Sequence, residues 1–232
     1  MYIVTGSSSG IGNAIVERLL KNNYPVIGIS RNIPSSGSKF KTYQADVSDK
    51  KSITEIANSL RSEGVVVSGL INCAGITQDF FTADWTKMPA EEIQSIFGTN
   101  AIGVINTCQS FIPLMNPKEH SPVINISSIV SHSNSEISVY ASSKHAVTGF
   151  TRSLAKVLRE TAIRPNCIAP GLIKTEMTKH FPEETFNQIL FFSGQTINNK
   201  AYTTEDVCDV VDLLIDKKSN SLTGQTFHIG GY

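Results

Sequence analysis

Cysteine, tryptophan, surplus charge of either sign and long apolar runs are all scarce in this chain. Its four cysteines, Cys73, Cys108, Cys167 and Cys208, stand far apart in 232 residues and form no Cys-x-x-Cys pair. That excludes a zinc knuckle and a disulfide framework, and leaves buried free thiols in a reducing compartment as the expectation. His120, His180 and His228 have no ligand-like spacing, so no metal is expected. Lysine plus arginine and aspartate plus glutamate each number 20, which gives a formal net charge of zero. A chain so balanced offers no electrostatic footprint for nucleic acid or an anionic membrane. No apolar stretch approaches the roughly 20 residues of a membrane span. Residues 1–6 run into a glycine-rich turn without the basic and apolar regions of a secretory leader, so a cytoplasmic protein is expected.

What the chain does contain is a regular alternation of short apolar runs and helical patterns. Residues 2–5, 25–30, 41–45, 67–73, 123–127, 164–169 and 225–229 read as strands. Apolar residues at a 3.6 spacing predict helices over 10–20, 49–61, 90–115, 138–160 and 204–215, the third interrupted or restarting near Gly98 and the last capped by Thr204. Periodicity weakens over 172–203. Strand and helix in strict alternation predict an α/β fold, a single-domain, Rossmann-type, doubly wound parallel sheet with helices on both faces, spanning residues 1–232.

Three local patterns carry chemistry. Between the first strand and first helix lies Thr5-Gly6-Ser7-Ser8-Ser9-Gly10-Ile11-Gly12. Glycines there let backbone approach a phosphate, which meets unpaired N–H donors and the positive end of the helix dipole. A purely structural turn is the competing reading, and the absence of a Gly-Lys-Ser/Thr ending excludes a P-loop. At the end of the second strand, Gly28-Ile29-Ser30-Arg31-Asn32 has no acid to take a ribose hydroxyl, whereas Arg31 offers a planar fork of donors to a 2′-phosphate. NADP(H) is therefore expected over NAD(H), although an isolated arginine is also a common solvated loop cation.

The third pattern is Tyr140-Ala-Ser-Ser-Lys144 on a predicted helix, where a spacing of four places phenol and ammonium on one face. Lowering a phenol from near pH 10 by about three units takes roughly 4 kcal/mol. A unit charge about 4 Å away at an effective dielectric near 20 supplies about that much, and an oxidised nicotinamide would add to it. Alone, such a pair is common and reads as a surface feature. Twelve residues earlier, however, Ile126-Ser127-Ser128 ends a strand and brings a hydroxyl suited to hold a carbonyl oxygen.

Residues 5–12, Asn72-Cys73-Ala74-Gly75, Asn100, Ser128, Tyr140 with Lys144, the segment 166–171 and the closing Thr223-Gly224-Gln225 and Gly230-Gly231 resemble, in order, the motifs of the short-chain dehydrogenase/reductase family. Within it the chain looks most like the 3-oxoacyl-acyl-carrier-protein reductase type. The resemblance implies an NADP(H)-dependent oxidoreductase that interconverts a ketone and a secondary alcohol, with 3-oxoacyl-thioester reduction among the reactions implied. By the same resemblance Tyr140 is the general acid, Lys144 lowers its pKa and binds the nicotinamide ribose, Ser128 orients the carbonyl and Asn100 supports a water relay to Lys144. Ser127 is the fallback for Ser128. Gly6, Ser8, Ser9, Gly10, Ile11 and Gly12 would meet the pyrophosphate side, Asp46 and Val47 the adenine, Asn72, Ala74 and Gly75 the adenosine ribose region. Pro170, Gly171, Ile173 and Thr175 would hold the carboxamide end.

A substrate lid is implied over about 176–203, whose Phe181, Phe186, Phe191 and Phe192 would line an apolar pocket or form ordinary helix core. The segment 191–200 lacks the Pro-x-Gly-Arg pattern of the reductases it resembles, and Cys73 stands where a second Asn is common. The helices 90–115 and 138–160 resemble those that pair between subunits, which implies a homodimer or homotetramer. The partners expected are a small carbonyl or alcohol substrate, possible attachment to acyl carrier protein included, with neither nucleic acid nor membrane. His132 is read as a solvated loop histidine, His145 as facing away from Lys144, and Trp85 as a packing anchor. A non-catalytic NADP(H)-binding sensor of the same fold is the rival reading.

Overall fold

The central strands are buried along nearly their whole length because helices cover both of their faces. The computed structural model describes residues 1–32, 40–78, 84–132, 137–192, 196–197 and 200–230. Its strands are β1 (Tyr2–Thr5), β2 (Val26–Ser30), β3 (Lys41–Gln44), β4 (Gly69–Asn72), β5 (Ser121–Ile126), β6 (Ile163–Pro170), β7 (Thr196–Ile197), β8 (Lys200–Ala201) and β9 (Thr226–Ile229). Seven of them form one parallel sheet in the order β3-β2-β1-β4-β5-β6-β9, and β7 with β8 makes a separate antiparallel ribbon.

The helices are α1 (Gly10–Lys21), α2 (Lys50–Ser62), α3 (Ala90–Phe97), α4 (Gly103–Phe111), α5 (Ser138–Val157), α6 (Glu183–Phe192) and α7 (Thr204–Ile215). Alternate residues of each strand point to opposite faces, so the core divides in two. Ile3, Ile27, Leu70 and Val123 pack with Ile53, Leu60, Val104, Phe111 and Val147 of α2, α4 and α5. Val4, Ile71, Ile124 and Ile168 pack with Ile15, Leu19, Val207 and Val211 of α1 and α7. On that second face Arg18 of α1 bonds Glu205 at 2.6 Å and Asp209 at 3.0 Å and also reaches Asp212, three acids that share one face of α7.

The interruption expected near Gly98 is a π turn, Gly98–Ile102, between α3 and α4; such turns insert a residue into the helix ladder and are frequent at functional sites. Other boundaries differ from the sequence reading. The cap of α7 is Thr203 rather than Thr204: it forms a capping box with Asp206, whose carboxylate accepts from the Thr203 N–H and hydroxyl at 2.6 and 2.8 Å. Val67 joins the sheet only through a bridge to Met115, so β4 begins two residues later. Trp85 is 64 % exposed in a short 3-10 turn and is no buried packing anchor among the described residues.

Within the weakly periodic segment, α6 closes a small core of its own, with Phe181, Phe186 and Leu190 buried against Leu172 and Ile189. Phe181 and Phe186 are therefore core, while Phe191 is exposed. The side chain of Phe192 lies outside the described residues, as do 193–195, 198–199 and Gly231.

Candidate active site

The strand order reverses direction between β1 and β4, and ligands of such sheets bind beyond the carboxyl ends of the strands at that point. A cleft of about 340 Å³ opens there. Its floor begins with the turn after β1, where Gly6, Ser8, Ser9, Gly10, Ile11 and Gly12 all line it. Gly6 adopts φ +66°, and a Cβ on it would lie 2.8 Å from the backbone of Ala74. A Cβ on Gly12 would lie 2.2 Å from the carbonyl oxygen of Gly6. The turn is thus packed backbone against backbone, between the start of α1 and the segment leaving β4. Ser9 supplies no side-chain cap to α1. The first amides of that helix therefore have no acceptor within it and stand at the cleft.

The other walls follow from the remaining strand ends. After β2 come Ser30, Arg31 and Asn32, fixed by the Ser30 hydroxyl donating to the Asn32 carbonyl at 2.6 Å and by Gln44 donating to the Arg31 carbonyl at 2.9 Å. After β3 come Asp46 and Val47; Asp46 accepts from the N–H and the hydroxyl of Ser48. After β4 come Cys73, Ala74, Gly75 and Thr77, with the Thr5 hydroxyl accepting from the N–H groups of Cys73 and Ala74 at 3.1 and 3.2 Å. Pro170, Gly171, Ile173 and Thr175 follow β6. Glycine backbone, helix-end amides and one arginine at the far end together fit a dinucleotide: close approach for the pyrophosphate, donors for its charge.

The deep end of the cleft holds the polar side chains. Tyr140 and Lys144 sit one turn apart on α5 with Lys144 Nζ 5.7 Å from the centre of the Tyr140 ring, and both are buried. Nζ donates to the Ile126 carbonyl at 3.0 Å. Ser127 and Ser128 separate in role here. The Ser127 hydroxyl turns back and donates to the Lys144 carbonyl at 3.0 Å, whereas the Ser128 side chain is the one that lines the cleft close enough to the Tyr140 phenol to pull its pKa down.

Burial governs ionisation. It pushes the Tyr140 phenol up to about 12, opposed by the Ser128 side chain, and pulls the Lys144 ammonium down to about 8. In the protein without cofactor burial sets the direction of the phenol's pKa. The ammonium meanwhile donates to the Ile126 carbonyl. Burial likewise raises the Cys73 thiol to about 12, which keeps it a neutral wall of the cleft.

Two expected residues lie outside the lining. Asn72 is buried beneath the sheet ends, where Nδ2 donates to Asn125 at 2.8 Å and Oδ1 accepts from Thr107 at 2.7 Å; its side chain ties β4 to β5 and α4. Asn100, 0 % exposed in the π turn, clasps the N–H and carbonyl of Ile76 at 2.9 Å each. It still borders the gap left by Gly75, where a Cβ would lie 3.5 Å from Asn100 Oδ1 and 3.4 Å from Lys144 Nζ. His145 is exposed and bonds the Ala141 carbonyl, away from the cleft. His132 is exposed after the short turn that follows β5, as expected of a loop histidine, with its ring on that of His228 at 4.2 Å and Nδ1 at the Ser131 hydroxyl. The sequence reading missed Thr5 as an acceptor for the β4 exit, Ser143 and Gln78 around Tyr140, and Thr77, Thr99, Met177 and Ile189 as lining. A threonine ending the first strand was the one legible signal among these.

A parallel sheet with this crossover and a dinucleotide cleft ending in serine, tyrosine and lysine defines a nicotinamide-dependent oxidoreductase. Residues 1–185 match the short chain dehydrogenase family, and the chain belongs to it. It is 34 % identical over 198 residues to carbonyl reductase family member 4 of Xenopus laevis, covering 81 % of each chain. To 3-oxoacyl-(acyl-carrier-protein) reductase FabG of Escherichia coli strain K12 it is 30 % identical over 237 residues, covering 99 % of this chain and 95 % of that one. Among solved structures, ElxO with NADP bound superposes with a TM-score of 0.83 at 28 % identity, covering 99 % of this chain and 96 % of the other.

Proposed function

We propose that the protein is an NADP(H)-dependent carbonyl reductase that converts a ketone to a secondary alcohol, with Tyr140 as proton donor. The observation that carries this reading is the meeting of the Ser128 hydroxyl, the Tyr140 phenol and the Lys144 ammonium at the closed end of the cleft. When bound, the nicotinamide supplies the hydride. The side chains do the rest. Ser128 holds the carbonyl oxygen, Tyr140 delivers a proton to it as negative charge develops, and Lys144 offsets that charge and grips the nicotinamide ribose. Asn100, beside the Gly75 gap, supports a water path that returns the proton to Lys144. A phenol held near 12 keeps its proton at neutral pH. Reduction draws on that protonated form and oxidation on the phenolate.

The fold accommodates either dinucleotide, and the choice falls to the end of β2, where no acid stands and Arg31 lines the cleft. ElxO, solved with NADP, is consistent with that choice. Near the reacting groups Ile129, Val130, Leu172, Met177 and Ile189 give apolar walls, which suit a ketone with an apolar arm. The 3-oxoacyl thioester named in the FabG relative is one such substrate. Residues 176–203 form the lid, reaching the cleft through Met177 and Ile189. Ile102 and Val157, exposed near the π turn and at the end of α5, fit the pairing of these helices in a homodimer or homotetramer. No helix among the described residues is long and apolar enough to cross a membrane, and we place the protein in the cytoplasm.

Arg31→Asp tests the cofactor assignment. Charge-assisted bonds to a phosphate are worth about 1.5–3 kcal/mol, so the KM for NADPH is expected to rise about 10- to 100-fold while that for NADH stays level or falls. Steady-state kinetics with both cofactors and a 3-oxo ester give the ratio. Equal KM values for NADPH before and after the exchange would refute the 2′-phosphate contact.

A further inference from the structure

Tyr140 is held through its backbone as well as by its place on α5. Its N–H lies in the first turn of the helix, where intrahelical acceptors run out, and donates to Gln78 Oε1 at 3.0 Å. Its carbonyl accepts from the Ser143 hydroxyl at 2.7 Å, and Ser143 accepts from Asn100 Nδ2 at 2.9 Å. Asn100 in turn clasps Ile76, two residues before Gln78, so the segment leaving β4, the π turn and the start of α5 close into one ring of hydrogen bonds.

Gln78 is 1 % exposed, and its Nε2 has no hydrogen-bond partner among the described residues. An unpaired buried donor is a cost to folding. A residue that breaks a rule of packing while serving a neighbouring reactive group marks a site requirement, not a core one.

We propose that Gln78 is a positioning residue: its amide oxygen pins the first turn of α5 and thereby sets where the Tyr140 phenol meets Ser128. The proposal rests on the reading of Tyr140 as proton donor. Misplacing a reacting group by about 1 Å costs about 10²-fold. Gln78→Met removes the acceptor at similar size, and kcat with NADPH and ethyl 3-oxooctanoate is expected to fall about 10- to 100-fold. The Kd for NADPH should stay within about twofold, because Gln78 does not line the cofactor cleft. The amide of Tyr140, followed by hydrogen exchange without any substrate, should exchange about tenfold faster or more once it loses its acceptor. Gln78→Glu keeps an acceptor at the same reach and should restore both the amide protection and most of the rate. Should Gln78→Met fail to fold, Gln78→Asn, which keeps the amide but withdraws it by one methylene, should show the same losses.

Unchanged amide exchange or unchanged kcat in Gln78→Met, or a Gln78→Glu protein as slow as Gln78→Met, overturns the proposal. Tyr140→Phe run alongside separates the two ideas. An active Tyr140→Phe protein defeats the proton-donor reading itself, whereas an inactive one beside an unaffected Gln78→Met protein defeats only the role of Gln78.

Discussion

Tyr140→Phe is expected to bind NADPH as the parent protein does and to turn over about 10²- to 10⁴-fold more slowly, the range set by loss of a positioned general acid. The exchange keeps the ring that fills the buried site on α5 and removes the phenol oxygen that faces Ser128. No other group at the closed end can take its place. The Ser128 hydroxyl is a far weaker acid than a phenol, and Lys144 Nζ is turned to the Ile126 carbonyl. The cofactor contacts assigned to Gly6 through Gly12 and to Arg31 lie on other strand ends and should be untouched. Fluorescence titration with NADPH and initial rates on the same preparation separate binding from turnover. A variant that reduces ketones at the parent rate would remove Tyr140 from the chemistry.

Gly12→Ala is the second large effect. Its methyl would lie 2.2 Å from the Gly6 carbonyl oxygen and 2.8 Å from the Gly6 carbonyl carbon, both backbone atoms of a turn already held against Ala74. Neither can give way as a side chain would, so α1 must lift from the turn. Overpacking of this kind costs about 1–3 kcal/mol, and at about 2–4 °C per kcal/mol for a chain of this size the unfolding midpoint should fall by roughly 3–10 °C. Because the amides that would receive the pyrophosphate are carried on α1, the Kd for NADPH is expected to rise about 100-fold or more. Calorimetry and a binding titration read the two effects. Wild-type affinity in this variant would mean that α1 does not form the phosphate site.

The parts of this architecture that were legible in the sequence are those set by local pattern. β1, β2, β5 and β6 appear as apolar runs because burial on both faces allows little else, and Ile53, Ile56 and Leu60 mark the inner stripe of α2 through their spacing alone. The glycine turn, Arg31 and the Tyr140–Lys144 spacing carry their geometry in the same way. What escaped depends on where elements land in space. Asn72 ends a strand one residue short of the cleft and points beneath it. The break near Gly98 was legible, but composition does not tell its π form from any other interruption. Phe181 and Phe186 find each other only once α6 folds back. The direction of the Tyr140 pKa turned on burial, which spacing along a helix does not report, and Gln78 meets Tyr140 from 62 positions away.

The most direct measurement follows a label rather than a rate. The protein is incubated with NADPH carrying deuterium at nicotinamide C4, prepared with the label on either face, and with ethyl 3-oxooctanoate and related 3-oxo esters and ketones. The account predicts an alcohol bearing one deuterium on the carbinol carbon, from one labelled face only, and none from the Tyr140→Phe protein at matched NADPH occupancy. Tight NADPH binding with no labelled alcohol from any carbonyl offered would contradict it, and would instead describe a protein that senses the dinucleotide without using it.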